Sequence, residues 1–368
     1  MKKHWIVKSE PLAGASTTNI WRLLIYNRFR IHPKYWLRLS YAMVLSSVTF
    51  ILRLVERLRF NRKIKSSKLQ KDPIFILGFW RSGTTYLNYI MALDKSKSYV
   101  SNIEVYAPHF FLAFPKFTRN LIVSSLPETR PMDEVKINAD LPGEEEHAMG
   151  AYDKYGFFHT MIFPSNFKKF SKFLLFDTTP ERDERRWKKR YHFFLRKVSY
   201  KYGGKQIMLK NPANTFRLKQ LHEMYPNAKY IHLYRNPYEV FKSNLKFHND
   251  TNEIFALQTW DMEKVKENVF GIYRELYEKF DEIKKDIPKE NIIDIKYEEF
   301  IKTPYETVER IYKELDIDGF DEAKVEFKKF IDAQKEYKPR VYDFSEEYIK
   351  RVNDNLDVVF KRFGYEKK

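Results

Sequence analysis

The densest chemistry in the sequence is the run Gly78-Phe-Trp-Arg81-Ser82-Gly83-Thr84-Thr85. It follows the apolar stretch Pro73–Leu77, and Leu87, Ile90, Met91 and Leu93 recur after it at helical spacing. A strand, a Gly-bounded loop and a helix start, in that order, make an anion site. The backbone N–H groups of Ser82–Thr85 would converge on one phosphate, and the helix dipole favours its charge. Thr84 and Thr85 add hydroxyl donors. The Gly78–Gly83 spacing matches the nucleotide loop G-x-x-x-x-G-K-[ST], but Thr84 stands where that loop carries Lys. Arg81 supplies a cation earlier in the turn. The pattern predicts a nucleotide with one phosphate in the loop and a group to be transferred beside it. It argues against ordinary ATP or GTP hydrolysis.

A second junction lies in Ala228–Leu245, AKYIHLYRNPYEVFKSNL. Tyr230–Tyr234 reads as a buried strand, and Asn236-Pro237 opens a helix. Arg235 falls at the strand's C-terminal edge, and Ser243 about two turns into the helix. An Arg and a hydroxyl so placed can clamp a second phosphate, with bidentate contact from the guanidinium. Arg235 alone would read as a surface ion pair. Two candidates compete for the general base. His147, in LPGEEEHAMG, has an ordinary pKa of about 6.5 that suits a base at neutral pH. Glu104, in SNIEVYAPHF, would need its pKa raised by partial burial.

These residues need a scaffold that brings strand ends together. Apolar runs place strands near 73–77, 206–210, 230–234 and 291–296, with helices between them. The fold class is α/β: a single P-loop-like domain with a central parallel sheet flanked by helices, preceded by a helical N-terminal extension. Residues 1–70 form a basic amphipathic arm and 71–368 the α/β domain. In open sheets of this kind, ligands bind at the carboxyl ends of the strands.

The chain has 368 residues, 67 Lys plus Arg, 49 Asp plus Glu and a formal net charge of +18. Residues 1–71 hold 16 of the basic residues against two acids, Glu10 and Glu56, a net +14; the other 297 residues carry only +4. A nucleic-acid binder would spread its basic face over the docking domain, so no nucleic acid is expected as a partner. The absence of Cys excludes disulfide scaffolds, thiol catalysis and Cys-ligated metals, and it fits a cytoplasmic protein. Met1–Ser16 lacks the apolar run of a secretory signal. Tyr41–Leu52, bounded by Arg38 and Arg53, is too short for a membrane span. It continues through RLVERLRF as one amphipathic helix, ending among Arg53, Arg57, Arg59, Arg62 and Lys63. Two readings stand side by side: a helix packed on the body with a solvated basic face, or a helix lying in an anionic membrane surface.

The strings FILGFWRSGTTYL and AKYIHLYRNPYEVFKSN resemble the two nucleotide-binding segments of sulfotransferases, in the branches whose loop carries Arg. MLKNPANTFRLKQLHEMYP, DIKYEEFIKTPYETVERIYKEL and KEYKPRVYDFSEE extend the likeness from about Asp72 to the C-terminus. The resemblance implies a sulfonate donor, 3′-phosphoadenosine 5′-phosphosulfate (PAPS), as co-substrate, and no metal. It implies that Arg81 and Lys210 lie beside the transferred group, that Glu104 is the base by position, and that Tyr86, or Trp80, stacks on adenine. Ser82, Gly83, Thr84, Thr85, Arg235 and Ser243 would bind the donor, and a late basic loop with Lys335, Lys338 and Arg340 would close on its 3′-phosphate. Cations stabilise the transferred group, as in phosphoryl transfer.

The aromatic stretches Tyr106–Phe117 and Tyr152–Phe167 read equally as core or as walls of an apolar pocket. A pocket would favour a small hydrophobic alcohol, such as a sterol or lipid, as acceptor. Trp187–Arg190 reads as a solvated helix face, and His159 as part of an apolar wall. Rival functions are a P-loop small-molecule kinase or nucleotidase, and a non-catalytic peripheral membrane protein on the same fold.

Overall fold

The computed structural model describes residues 10–126, 137–334 and 342–368. In chain order, helices α1 (Thr17–Tyr26), α2 (Trp36–Val48) and α3 (Phe50–Ser66) precede strand β1 (Ile74–Leu77). Then come α4 (Thr84–Met91), β2 (Ser98–Tyr99), α5 (Asn102–Tyr106), α6 (Pro115–Ser125) and α7 (Glu145–Tyr152). The short α8 (His159–Ile162) and α9 (Phe167–Ser171) lead to α10 (Glu181–Lys201), β3 (Ile207–Lys210), α11 (Leu218–Met224) and β4 (Lys229–Tyr234). The long α12 (Pro237–Phe255) and α13 (Met262–Lys284) precede β5 (Ile292–Lys296). Five helices close the chain: α14 (Tyr297–Phe300), α15 (Pro304–Glu314), α16 (Phe320–Ala333), α17 (Glu346–Asn355) and α18 (Asp357–Phe363).

The chain forms two compact units. One comprises residues 71–99, 205–245 and 266–368. It holds a parallel sheet in the order β2-β3-β1-β4-β5. The strands β1 and β3 are buried at every residue, as expected where helices cover both faces of a parallel sheet. Ile74, Ile76, Ile231 and Leu233 pack with Leu87 and Ile90 of α4 and with Val308 and Ile311 of α15 in one apolar core. The order reverses at β1: β3 lies on one side of it and β4 on the other. That reversal opens a crevice at the carboxyl ends of the middle strands.

The other unit comprises residues up to 70, with 100–204 and 246–265. Its N-terminal helices are tied in by buried polar contacts. Asn19 donates its side-chain amide to the carbonyls of Gly150 and Ala151 at 2.9 and 3.0 Å. Arg38 pairs with Glu10 at 2.9 Å and donates to the Ala256 carbonyl at 3.1 Å. Glu56 pairs with buried Lys197 and accepts the N–H groups of Leu112 and Ala113 at 2.6 and 3.0 Å. Both acids of the arm are therefore spent on anchoring it within this unit.

Three expectations change. The arm's apolar pattern runs on without a break, but the helix is interrupted at Thr49, where α2 and α3 meet at 42°. The hydroxyls of Ser47 and Thr49 donate back to the carbonyls of Met43 and Leu45 at 2.9 and 2.8 Å. Such back-bonding bends helices, and the Arg53 guanidinium donates to Thr49 Oγ1 and to the Ser46 carbonyl at the break. Phe110, Phe111, Tyr155, Phe157, Phe158 and Phe163 are buried, so most of the rings in the two aromatic stretches are core. Trp187 is buried in stacked contact with Tyr191, while Arg185, Arg186, Lys189 and Arg190 keep the solvated face.

Candidate active site

Three adjacent strands deliver the cationic residues to one edge of the sheet. Ile76 of β1 is in register with Lys210, the last residue of β3, and Leu77 with His232 of β4. The chain leaves β1 into Gly78, leaves β3 into Asn211 and leaves β4 into Arg235. Lys210 is buried at this edge.

The loop after β1 is held in an unusual backbone shape. Gly78, Arg81 and Gly83 all have positive φ, +144°, +72° and +92°. For Arg81 this is a left-handed conformation that costs an L-residue roughly 1–2 kcal/mol. The surroundings enforce it. Gly78 donates its N–H to Thr215 Oγ1 at 2.9 Å, and the Thr215 hydroxyl donates to the Gly78 carbonyl at 3.1 Å. A Cβ on Gly78 would overlap the Leu233 carbonyl, and one on Gly83 would overlap the Tyr297 ring. The loop is thus clamped between β3's continuation and the start of α14.

Gly83 caps α4, so Thr84 and Thr85 open the helix. The first N–H groups of a helix have no intrahelical acceptor, and here they follow a buried Ser82. The Ser82 hydroxyl has no hydrogen-bond partner among the described residues. A buried polar atom of this kind needs a partner. A phosphate against the loop supplies one, and the residues present therefore fit a nucleotide phosphate.

The two sequence junctions meet. Arg81 donates from Nε to Ser243 Oγ at 3.0 Å. Asn244, next on α12, donates to the Trp80 carbonyl at 2.7 Å. Arg235 pairs with Glu239, with Nε to Oε2 at 2.9 Å, and its guanidinium lies 4.2 Å from the Tyr297 ring centroid. The site thereby gains Thr215 and Tyr297, which were not singled out from sequence. Thr215 lies five residues past Lys210, the end of β3, and Tyr297 directly follows Lys296, the end of β5. The half-buried Tyr86 ring lies against Phe300 and Phe330, with centroids 5.4 and 6.4 Å away, at the margin of the apolar core. Trp80 is buried edge-on to Phe79. Lys335, Lys338 and Arg340 lie outside the described residues.

The two base candidates belong to the other unit and differ in their commitments. Glu104 is buried at the start of α5 in a capping box: Oε2 accepts the Ser101 N–H at 2.6 Å. Its Oε1 pairs with Lys201 and accepts the Tyr202 hydroxyl at 3.4 Å. Both oxygens serve the fold. His147 sits half-buried on α7, its ring 3.8 Å from that of Phe158 and 5.7 Å from that of Tyr106. The neighbouring acids are engaged: Glu145 accepts the Tyr191 hydroxyl at 2.7 Å, and Glu146 accepts the Phe157 N–H at 2.5 Å. His159 is buried between Phe163 and Phe170, and burial lowers its pKa.

Comparison with known proteins gives a consistent result. A sulfotransferase family model matches residues 73–322. The omega-hydroxy-beta-dihydromenaquinone-9 sulfotransferases Stf3 of Mycobacterium bovis and Mycobacterium tuberculosis are each 28% identical over 366 residues, covering 99% of this chain and 93% of the relative. Among solved structures, sulfotransferase STF9 from Mycobacterium avium aligns with a TM-score of 0.70 at 15% identity, covering 92% of this chain and 88% of its own. Sulfotransferase STF1 from Mycobacterium tuberculosis H37Rv aligns with a TM-score of 0.57 at 15% identity, covering 80% and 81%. With the family model spanning the sheet, the anion loop and the Arg235 junction, the chain belongs to the sulfotransferase family.

Proposed function

We propose that this enzyme moves the sulfonate of PAPS to the hydroxyl of a hydrophobic, lipid-like alcohol. The observation that carries the reading is the contact of Arg81 with Ser243 beside the Gly78–Thr85 loop, at the strand edge that also presents Lys210 and Arg235. The Stf3 relatives are named for an acceptor with a terminal hydroxyl on a menaquinone lipid, which supports an alcohol of that class here.

In the proposed reaction the acceptor oxygen attacks sulfur, the bond from sulfur to the bridging phosphate oxygen breaks, and adenosine 3′,5′-bisphosphate leaves. The acceptor's proton passes to a base. The loop N–H groups, Ser82, Thr84 and Thr85 hold the 5′-phosphate. Arg81 and Lys210 balance charge developing on the bridging and sulfonate oxygens. Arg235 and Ser243 hold the 3′-phosphate; Lys338 and Arg340, the other cations expected to bind the donor, lie outside the described residues. His147 is the better-supported base, because Glu104 has both oxygens committed to its helix start, Lys201 and Tyr202. The same reading puts the enzyme in the cytoplasm against an anionic membrane surface, since its acceptor is a lipid and its first 71 residues hold +14 of its net charge of +18.

The test is ligand-induced stabilisation by adenosine 3′,5′-bisphosphate, about 2.7 kcal/mol at a hundred times Kd. Arg235→Ala should abolish that shift. Absence of any shift in the wild-type chain, with magnesium-dependent ATP turnover instead, would refute the assignment.

A further inference from the structure

Helices α2 and α3 are built inside out. The face packed on their own unit carries Arg38, Ser46 and Glu56 beside Ala42 and Ile64, all buried. The face turned to solvent carries Trp36, Leu37, Val44, Val48, Ile51 and Leu58. Val48, Ile51 and Leu58 are 68%, 66% and 74% exposed. The inward polar groups are satisfied: Arg38 and Glu56 have their ion pairs, and Ser46 donates to the Ala15 carbonyl at 2.9 Å. A surface helix in water turns its apolar stripe to the core. A contiguous outward apolar face marks a surface that meets something other than water.

Charge identifies what it meets. On α3 the stripe Ile51, Leu54, Leu58 continues at the same three- and four-residue spacing into Arg62 and Lys65, flanked by Arg57, Arg59 and Lys63, all exposed. Apolar side chains that give way to long cations suit a helix lying at the headgroup level of an anionic bilayer. The cations reach phosphates while their stems stay in the apolar layer. A second copy of this chain would instead set like charge against like. Among the described residues no single helix is long and apolar enough to cross a membrane; the segments Pro33–Val48 and Phe50–Ser66 reach that length only together, and they are bent by 42°. The Arg38 and Glu56 ion pairs hold one face of each helix on protein, which leaves the opposite face for lipid.

We propose that the α2–α3 pair is an in-plane dock for an anionic phospholipid bilayer, and that the lipid acceptor is drawn from that bilayer. The second half rests on the lipid-acceptor reading; the first does not. The test sediments the full chain with phosphatidylglycerol–phosphatidylcholine vesicles. The wild type should bind them, less at high salt and less on pure phosphatidylcholine. V48E/I51E/L58E should weaken binding at least about tenfold, whereas V325E, an exposed apolar position in the other unit, should not. If the triple variant fails to fold by circular dichroism, R57E/R62E/K65E tests the same surface. The triple variant should keep transfer to a short, water-soluble alcohol and lose transfer to a long-chain alcohol embedded in vesicles. Wild type remaining in the supernatant, equal binding by all variants, resistance to alkaline carbonate extraction, or a wild-type dimer that the triple variant dissociates would each overturn the dock. Vesicle binding as expected with neither alcohol sulfated leaves the dock standing and removes the acceptor reading.

Discussion

Replacing Arg81 by Gly and by Ala separates what its backbone costs from what its side chain does. Arg81 has φ +72°, where an L-residue pays roughly 1–2 kcal/mol that Gly does not. Gly loses about 0.4–1 kcal/mol more than Ala by freeing the unfolded chain. The balance favours Arg81→Gly over Arg81→Ala by about 1 kcal/mol, or about 1 °C in unfolding midpoint for a chain of this size. At an ordinary loop or helix position the sign reverses, because Gly is the worse residue there. Both variants lose the guanidinium that meets Ser243. Their transfer rates should fall together by about 10²–10³-fold, the scale of removing one preorganised donor to a developing charge. The assay pairs thermal unfolding of the ligand-free variants with release of adenosine 3′,5′-bisphosphate from PAPS. An Ala variant at least as stable as the Gly variant would refute the strained-loop argument. Near wild-type transfer in either would refute the role of the side chain.

Four further outcomes follow from the same geometry. Gly83→Ala places a methyl group against the Tyr297 ring at φ +92°, so the stabilisation by adenosine 3′,5′-bisphosphate should disappear while circular dichroism stays native. Thr215→Val leaves the buried Gly78 N–H without its acceptor and should destabilise the ligand-free protein by about 1–3 kcal/mol in denaturant unfolding. His147→Ala should keep donor binding and lose turnover, whereas Glu104→Gln should mainly lower stability; the reverse pattern would make Glu104 the base. Burial pushes the pKa of His248 down to about 4, and burial together with Lys197 pushes that of His109 down to about 3. The unfolded chain binds protons on both below about pH 6.5 and the folded chain does not, so stability should fall as pH drops from 7 to 5. H109Q/H248Q should flatten that slope in melting curves taken at both pH values.

The parallel sheet was legible because four of its strands are apolar runs bounded by turns. Ile74–Leu77, Ile207–Lys210, Lys229–Tyr234 and Ile292–Lys296 fall within a residue or two of the positions read from pattern. β2 escaped because two residues, Ser98 and Tyr99, carry no periodicity. The meeting of Arg81 with Ser243 was implied only as two halves of one site, since no local rule fixes a contact between residues so distant in sequence. Thr215 and Tyr297 were missed for the same reason: their roles are to clamp Gly78 and crowd Gly83, and neither role has a local spacing signature. The arm shows the limit of periodicity most plainly. Its apolar stripe was visible, but which way that stripe faces depended on buried pairs of Glu10 with Arg38 and Glu56 with Lys197. Those pairs put the polar face inside.

Transfer of sulfonate from PAPS to a hydrophobic alcohol is read out without intermediary by mass spectrometry of the products. Purified full-length protein is incubated with PAPS and a long-chain primary alcohol in phosphatidylglycerol vesicles. The sulfate ester of the alcohol and an equimolar amount of adenosine 3′,5′-bisphosphate should form, and both should be lost in Arg81→Ala. Unchanged alcohol and intact PAPS, from a wild-type chain that is folded and vesicle-bound, would contradict it.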